Sequence, residues 1–303
     1  MLNFRYHLVS LIAVFAALAI GVVLGAGPLQ SRLADSLRST KASTNEVDAQ
    51  ALTQVTRIAH TDARGLISLA DERLKGTLTG TKVALVSLPG ANAEDSTMVS
   101  ERLQAAGAEV VGSAALTSNW ESSAMAKYRE TLATPLAAHL SSLPSDASSE
   151  AVIGYAIVAA LTSTGPETAL VQEILTDDST PILSINTNPA GSATAIVVVG
   201  ARDSSQSQDA DQSAGSIASP RAWSGLARAL PSAPKSGVII GDAHDSTSMV
   251  ASIREAGDPV TTIDSPGTAL GAVSATAALK DASASARAFG SEPSAQSLMP
   301  TLP

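Results

Sequence analysis

The chain has 303 residues, of which 45% are hydrophobic and 16% charged, and its formal net charge at pH 7 is −9. This acidity argues against a nucleic-acid partner, because binding to phosphates depends on a cationic surface. The sequence contains no cysteine, which excludes disulfides, thiolate metal sites and cysteine nucleophiles.

The first feature along the chain is Leu8–Gly27, an unbroken run of twenty apolar or small residues. A helix rises about 1.5 Å per residue, so a run of this length crosses a hydrocarbon core about 30 Å thick. A cleaved signal peptide is the alternative, but its apolar region is usually only about 7–15 residues long. The best cleavage site, Leu24-Gly25-Ala26, has Leu where a small residue is expected. We therefore expect residues 1–27 to form a short cytoplasmic tail and a retained anchor in the lipid bilayer.

One face of this predicted anchor carries small residues at every fourth position, namely Ala13, Ala17, Gly21 and Gly25. Such a stripe lets two helices approach closely, and it predicts a homodimer through the anchor. Alanine and glycine are also common in membrane helices in general, which is the alternative explanation. The flanking positive charges do not fix the orientation. We place Met1–His7 inside and everything after Gly27 on the extracytoplasmic side of the cytoplasmic membrane, the usual arrangement for an uncleaved export signal.

Residues 28–80 are predicted to form a helical stalk. Pro28 suits the first turn of a helix, and no proline follows it before Leu78. Several apolar residues fall near heptad spacing, namely Leu29, Leu33, Leu37, Val47, Ala51 and Ile58. This pattern is compatible with a parallel coiled coil, although polar residues interrupt it. A stalk helix that packs on its own domain is the alternative.

Residues 81–281 show the alternation of apolar strands and helices that is typical of an α/β domain. Lys82–Leu88 and Gly237–Gly241 are strand-like, and Ala195–Val199 is apolar throughout, as a central parallel strand requires. Buried or amphipathic helices are predicted over Ser122–Leu140, Ala151–Leu161, Pro166–Thr176, Arg221–Ala229 and Gly267–Lys280. The predicted fold is a Rossmann-like, mostly parallel sheet with helices on its faces. Asp203–Ser219 is polar and serine-rich, and we expect it to be a mobile loop.

Two segments resemble each other within this domain. Asp95–Val110 and Asp245–Val260 align without gaps, and each begins with Asp-Ser-Thr. These residues favour helix caps, so we expect Asp95 and Asp245 to begin equivalent helices; two unrelated helices with the same start and stop residues would explain the likeness equally well. Residues 282–303 carry no usable pattern and are predicted to be a disordered tail.

Ligands of such sheets bind at the carboxyl ends of the strands. The candidate loops are therefore Pro89–Glu94, Gly200–Asp203 and Gly241–Asp245. None carries a dinucleotide or phosphate-binding glycine motif. The last loop gathers Asp242, His244 and Asp245, which could serve a metal or acid–base chemistry.

A structural interpretation of these three residues is favoured over a functional one: Asp245 is a helix cap, and Asp242 and His244 are solvated loop residues. The chain also lacks a nucleophile elbow and a methionine cluster suited to copper(I). We therefore expect no enzyme activity and no cofactor.

The amino terminus resembles one known family. Arg5–Leu11, Ala13–Phe15 and Ala17–Gly25 are similar to the start of the mycobacterial copper transport protein B (MctB) family, whose corynebacterial members are called SteB. Looser likeness extends through Leu37-Arg38-Ser39, Ile157–Leu161 and Ala195–Gly200. The resemblance implies an actinobacterial envelope protein. It implies either copper transport, through efflux or an outer-membrane pore, or control of peptidoglycan hydrolysis and cell separation beside a membrane partner called SteA. The resemblance assigns no catalytic or copper-binding residue.

These observations predict a single-pass envelope protein that acts as a dimeric interaction or regulatory protein with a SteA-like partner. Copper transport, for which copper would be the bound metal, is the second hypothesis. An enzyme that uses Asp242 and His244 is the third.

Overall fold

The structure, a computed structural model, describes residues 28–202 and 218–303, with side chains from residue 50 onward. The chain divides into two units, residues 1–62 and 63–303. The predicted anchor, including its small-residue stripe at Ala13, Ala17, Gly21 and Gly25, lies outside the described residues. In the part of the chain that the structure describes, no helix combines the length and the apolar character needed to cross a membrane.

Helix α1 extends from Pro28 to Leu74, which confirms the predicted long helix. In the first unit, every side chain from residue 50 to residue 62 is exposed. In the second unit, Ala70 and Leu74 are buried in an apolar core together with Leu78. The helix ends just before Gly76, whose positive φ of 77° is easily adopted by glycine. The coiled coil stays a prediction.

The second unit contains one sheet whose strands occur in the order β3-β2-β1-β4-β5-β6-β7. The strands are β1 (Lys82–Ser87), β2 (Glu109–Leu116), β3 (Leu183–Thr187), β4 (Ala195–Val199), β5 (Gly237–Ile240), β6 (Thr261–Ile263) and β7 (Arg287–Phe289). Every pairing is parallel except that of β3 with β2. This order extends the 3-2-1-4-5-6 order of doubly wound sheets, so the mostly parallel α/β fold is confirmed.

Helices cover both faces of this sheet. They are α2 (Ala93–Ala105), α3 (Ser118–Glu121), α4 (Ala126–Ala138), α5 (Ser149–Thr162), α6 (Pro166–Leu175), α7 (Pro220–Ala229), α8 (Met249–Glu255) and α9 (Ala269–Lys280). Side chains alternate along the strands, so that Ala84 and Val86 enter one core and Val83 and Leu85 the other. All five residues of β4 are buried, as expected of a central parallel strand.

The close approach of α5 and α7 depends on two glycines. A Cβ atom on Gly154 would lie 2.5 Å from the Gly225 carbonyl oxygen, and one on Gly225 would lie 2.4 Å from the Glu150 carbonyl. Only the absence of both side chains lets the two backbones touch. The sequence pattern placed these helices correctly but did not indicate this contact.

Three predictions about helix starts were wrong. Helix α2 begins at Ala93, because the Asn92 side chain accepts a hydrogen bond from the Glu94 N–H at 2.8 Å and so forms the cap. Helix α8 begins at Met249 after Ser248, so Asp245 lies outside the helix. Asp95 is buried within the first turn of its helix whereas Asp245 is exposed, and the two are therefore not equivalent. Helix α4 begins at Ala126, preceded by a 3-10 turn over Ser123–Met125.

The predicted disordered tail is a further correction. Strand β7 lies within it and pairs in parallel with β6, and Phe289 packs into the core. The short antiparallel strand β3 and helix α3 were also not predicted. Most of the predicted mobile loop Asp203–Ser219 lies outside the described residues.

Candidate functional site at the carboxyl edge of the sheet

The candidate loops that follow β1, β4 and β5 do come together at the carboxyl edge of the sheet. Strands β2 and β3 lie on one side of β1, whereas β4 and the later strands lie on its other side. The gap between β1 and β4 is therefore the topological switch point, where doubly wound sheets bind ligands. Leu88, Pro89, Ala201 and Asp242 line one cavity there. The cavity measures only about 30 Å³, far below the roughly 300–1,000 Å³ of small-molecule pockets.

Met249 fills most of the space at this switch point. A Cβ atom on Gly200, after β4, would lie 2.7 Å from the Met249 methyl carbon, and one on Gly241, after β5, would lie 2.3 Å from it. In nucleotide-binding sheets, a glycine at such a position lets a phosphate approach the backbone. Here the two glycines make room for a side chain of the protein itself.

Asp242 is buried and organises the loop that follows β5, so the interpretation of Asp242 as a solvated loop residue was wrong. One carboxylate oxygen accepts a hydrogen bond from the His244 backbone N–H at 2.9 Å, and the other accepts one from the Ser248 hydroxyl at 2.7 Å. The His244 ring is exposed, and its Nδ1 lies 4.0 Å from Glu292 Oε2. Asp245 is also exposed. The three residues that the sequence singled out therefore lie on one loop, but their functional groups do not converge.

A bidentate ion pair closes the edge between β1 and β4. Arg202 Nε lies 2.9 Å from Asp95 Oδ2, and its terminal nitrogen lies 2.6 Å from Asp95 Oδ1. Asp95 is buried in the first turn of α2. Hydrogen bonding to Asp95 raises the pKa of Arg202 above its ordinary value. A charge-assisted fork of this kind fixes the loop after β4 against α2.

Glu121, which is half-buried, and the buried Trp223 form a second polar contact at this edge. Trp223 donates a hydrogen bond from Nε1 to Glu121 Oε2 at 2.9 Å, and the Ser219 N–H donates to the Glu121 carbonyl at 2.7 Å. Burial raises the pKa of Glu121, against the opposing influence of Trp223 and Arg129. No local sequence pattern predicted this pair, although Glu121 directly follows the other tryptophan of the chain, Trp120.

Replacing Glu121 by Gln should make the stability of the protein less sensitive to pH. The unfolded chain ionises this carboxyl at lower pH than the folded one, so the free energy of unfolding falls as the pH rises above about 4.5. Glutamine keeps an oxygen that can accept the Trp223 hydrogen bond but never ionises. We expect urea denaturation at a series of pH values to show that the free energy of unfolding falls less with rising pH in Glu121→Gln than in the natural protein. Parallel curves for both proteins would contradict this assignment.

Asp264, after β6, is a carboxylate of this edge that accepts several hydrogen bonds. It is fully buried and accepts hydrogen bonds from the guanidinium of Arg254 at 3.0 Å and from the Ser291 N–H at 2.7 Å. The Glu292 N–H and the Ser265 hydroxyl donate to it as well. Asp264 thus ties the segment after β7 to the sheet.

The carboxylates of this edge are therefore used to hold loops in place. Among residues 50–202 and 218–303, whose side chains the structure describes, no three His, Asp or Glu side chains are grouped so that they could hold a metal ion. The edge has the position of a ligand site, but its space and its polar groups are largely taken up by the protein.

Comparison with known proteins assigns the chain to a family. A family model described as "Copper transport outer membrane protein, MctB" matches residues 1–300. The chain belongs to the MctB family. Within this family, it is similar to the copper transporter MctB of Mycobacterium tuberculosis and that of Mycobacterium bovis, with 33% identity over 174 residues. The match covers 52% of this chain and 53% of each MctB relative, so the chain spans about half the length of the curated relatives it matches.

Proposed function

We propose that this protein is a membrane-anchored envelope protein that acts by binding other proteins rather than by catalysis. In this proposal, Leu8–Gly27 is a single membrane span, the α/β domain is extracytoplasmic, and the chain forms a homodimer that engages a SteA-like membrane protein in cell separation. The family assignment supports an envelope protein. The remaining elements rest on the sequence patterns and on the resemblance to the corynebacterial members.

The filled switch point is the observation that carries this proposal. Met249 occupies the space beside Gly200 and Gly241, and Asp95, Asp242 and Asp264 each accept hydrogen bonds from neighbouring loops. A catalytic carboxylate needs access to a substrate, whereas these side chains are buried. The domain therefore offers its surfaces, more than this crevice, for function.

The exposed part of helix α1 supports the interaction role. Leu52, Val55 and Ile58 are exposed to 68%, 62% and 50%, and they recur every three residues along the helix. Most helical stability in proteins comes from packing of an apolar face, and exposed apolar patches mark interaction surfaces. We assign this face to self-association of the stalk.

Single-cysteine crosslinking tests the assignment cleanly, because the natural chain has no cysteine. We expect Val55→Cys to form disulfide-linked dimers under mild oxidation in intact membranes. Arg57→Cys is the matched control: Arg57 is also exposed but lies about 200° around the helix from Val55. The expected result is a dimer band for Val55→Cys at least several-fold stronger than for Arg57→Cys. Equal bands, or none, would contradict self-association through this face.

Copper transport is the second candidate function, and the family description favours it. Both relatives carry the name copper transporter. Copper(I) prefers thioether and thiolate ligands, and Met249 is a thioether next to Asp242 at the switch point. Metal analysis of the full chain purified from copper-supplemented cells, with Met249→Leu as the comparison, separates this candidate from the first. Stoichiometric copper that Met249→Leu abolishes would favour copper handling.

A further inference from the structure

A groove of about 930 Å³ shares no lining residue with the carboxyl-edge crevice. The starts of α4 and α5, one face of α7 and the end of α8 form its walls. Its volume is within the range of ligand-binding pockets, roughly 300–1,000 Å³.

Two arginines of α7 give this groove a cationic wall. Arg221 and Arg228 are seven residues apart, with Ser224 between them, so the three side chains share one helix face. Arg221 is exposed and has no ion pair or side-chain hydrogen bond among the described residues. Arg228 contacts the buried Asp258 through Nε at 2.8 Å, which orients its guanidinium and leaves the two terminal nitrogens for a ligand.

The two carboxylates of the groove are already neutralised. Glu130 pairs with Lys127 at 2.8 Å, and Glu150 pairs with the fully buried Arg129 at 3.3 Å. Among the described residues of the lining, Arg221 therefore carries the charge without a partner, and Arg228, although paired with Asp258, keeps its two terminal nitrogens for a ligand. Arginine binds carboxylate and phosphate oxygens through two parallel hydrogen bonds, which favours an oxyanion over a neutral ligand.

The remaining lining indicates what accompanies the oxyanion. Five serines line the groove, and their hydroxyls both donate and accept hydrogen bonds: Ser123, Ser148, Ser149, Ser224 and Ser252. Among the described residues, the lining contains no aromatic residue and no Leu, Ile or Val. A flat aromatic ligand or a lipid tail would find no complementary surface there, whereas a ligand rich in hydroxyl groups would.

We propose that this groove binds an anionic saccharide, with its carboxylate or phosphate on Arg221 and Arg228 and its hydroxyls on the serines. This assignment does not depend on dimer formation or on a SteA-like partner, and it stands if either of those proposals fails.

Ligand-observed saturation-transfer NMR on the full chain in lipid nanodiscs tests the proposal. The probes are glucuronate and glucose 6-phosphate. Glucose, which lacks the anionic group, and acetate, which lacks the hydroxyl groups, are the comparisons. We expect both anionic sugars to bind about tenfold more tightly than either comparison, since each charge-assisted hydrogen bond contributes measurably. A stronger response of one anionic sugar identifies whether the natural ligand carries a carboxylate or a phosphate.

Arg221→Gln is the variant of choice, because Arg221 has no partner in the described fold whose loss would disturb folding. We expect it to weaken binding of the anionic sugars about tenfold and to leave the weak glucose signal unchanged. Arg57→Gln, which removes an exposed arginine of α1, should have no effect. Binding of acetate as strong as that of glucuronate, absence of binding by both anionic sugars, or equal binding by Arg221→Gln would each overturn the proposal.

Discussion

Replacing Asp264 by Ala should lower the free energy of unfolding by about 3–5 kcal/mol, the usual cost of breaking a buried ion pair. The substitution leaves the Arg254 guanidinium, itself largely buried, without its carboxylate, and it orphans the Ser291 N–H. Burial already lowers the pKa of Arg254 against the opposing effect of Asp264. Urea denaturation at neutral pH measures the loss. Because the segment after β7 depends on the same carboxylate, hydrogen exchange of residues 287–297 should also accelerate.

Asp281→Ala is the control for this prediction, since Asp281 is an exposed carboxylate at the end of α9. A surface substitution of this kind should change the free energy of unfolding by no more than about 0.5 kcal/mol. A loss below about 1 kcal/mol for Asp264→Ala would mean that the buried network contributes little to the fold.

Gly225→Ala should destabilise the protein by about 3 kcal/mol, the upper end of the usual cost of overpacking. The added methyl would lie 2.4 Å from the Glu150 carbonyl, and backbone atoms cannot move aside as a flexible side chain can. The helices α5 and α7 would have to separate. Thermal or urea unfolding of the full chain provides the measurement.

Gly65→Ala is a matched control, because it also replaces a helical glycine but has no atom within 4 Å of the added Cβ. That change should stabilise the protein by about 0.5–1 kcal/mol, since alanine is the better helix former. Opposite signs for the two variants support the close crossing of α5 and α7. A stabilising effect of both would contradict it.

The sequence predicted the parts of the fold that depend on local pattern. The apolar run Ala195–Val199 indicated a central strand because a parallel strand buried on both faces needs apolar side chains throughout, and the structure confirms it. The long helix α1 followed from the absence of proline after Pro28. The alternation of strands and helices also predicted correctly that the loops after β1, β4 and β5 would meet at one edge.

The errors arose where long-range contacts decide the structure. Residues 282–303 carry no periodic pattern, yet β7 is held there by pairing with β6 and by hydrogen bonds to Asp264, 23 residues before the start of β7. Similarly, the Asp-Ser-Thr triplets suggested equivalent helix caps, but Asp95 is buried and forms an ion pair with Arg202, 107 residues away. Local propensity carries no information about such partners.

For the candidate site too, the sequence predicted the local features and missed those that depend on long-range contacts. The sequence located its loops and named Asp242, His244 and Asp245, but it could not show that the first is buried and the other two exposed. Glu121 and Trp223 escaped notice because they reach the crevice from helices distant in sequence from its loops. Met249 begins the helix after the β5 loop, but no local pattern indicates that its side chain packs against Gly200 and Gly241. Gly200 and Gly241 alone would indicate an open pocket after β4 and β5, but the Met249 side chain packs against both glycines.

In the proposed function, this protein acts through its surfaces and not through chemistry at its sheet edge. Complementation of a deletion strain tests it most directly, with the fraction of unseparated cells as the readout. The test compares Asp242→Asn combined with His244→Ala, which keeps a buried hydrogen-bonding side chain at position 242, with the triple change Leu52→Ser, Val55→Ser and Ile58→Ser on α1. We predict normal separation with the crevice variant and failure with the α1 variant at equal protein levels. Failure of the crevice variant together with full activity of the α1 variant would contradict the account.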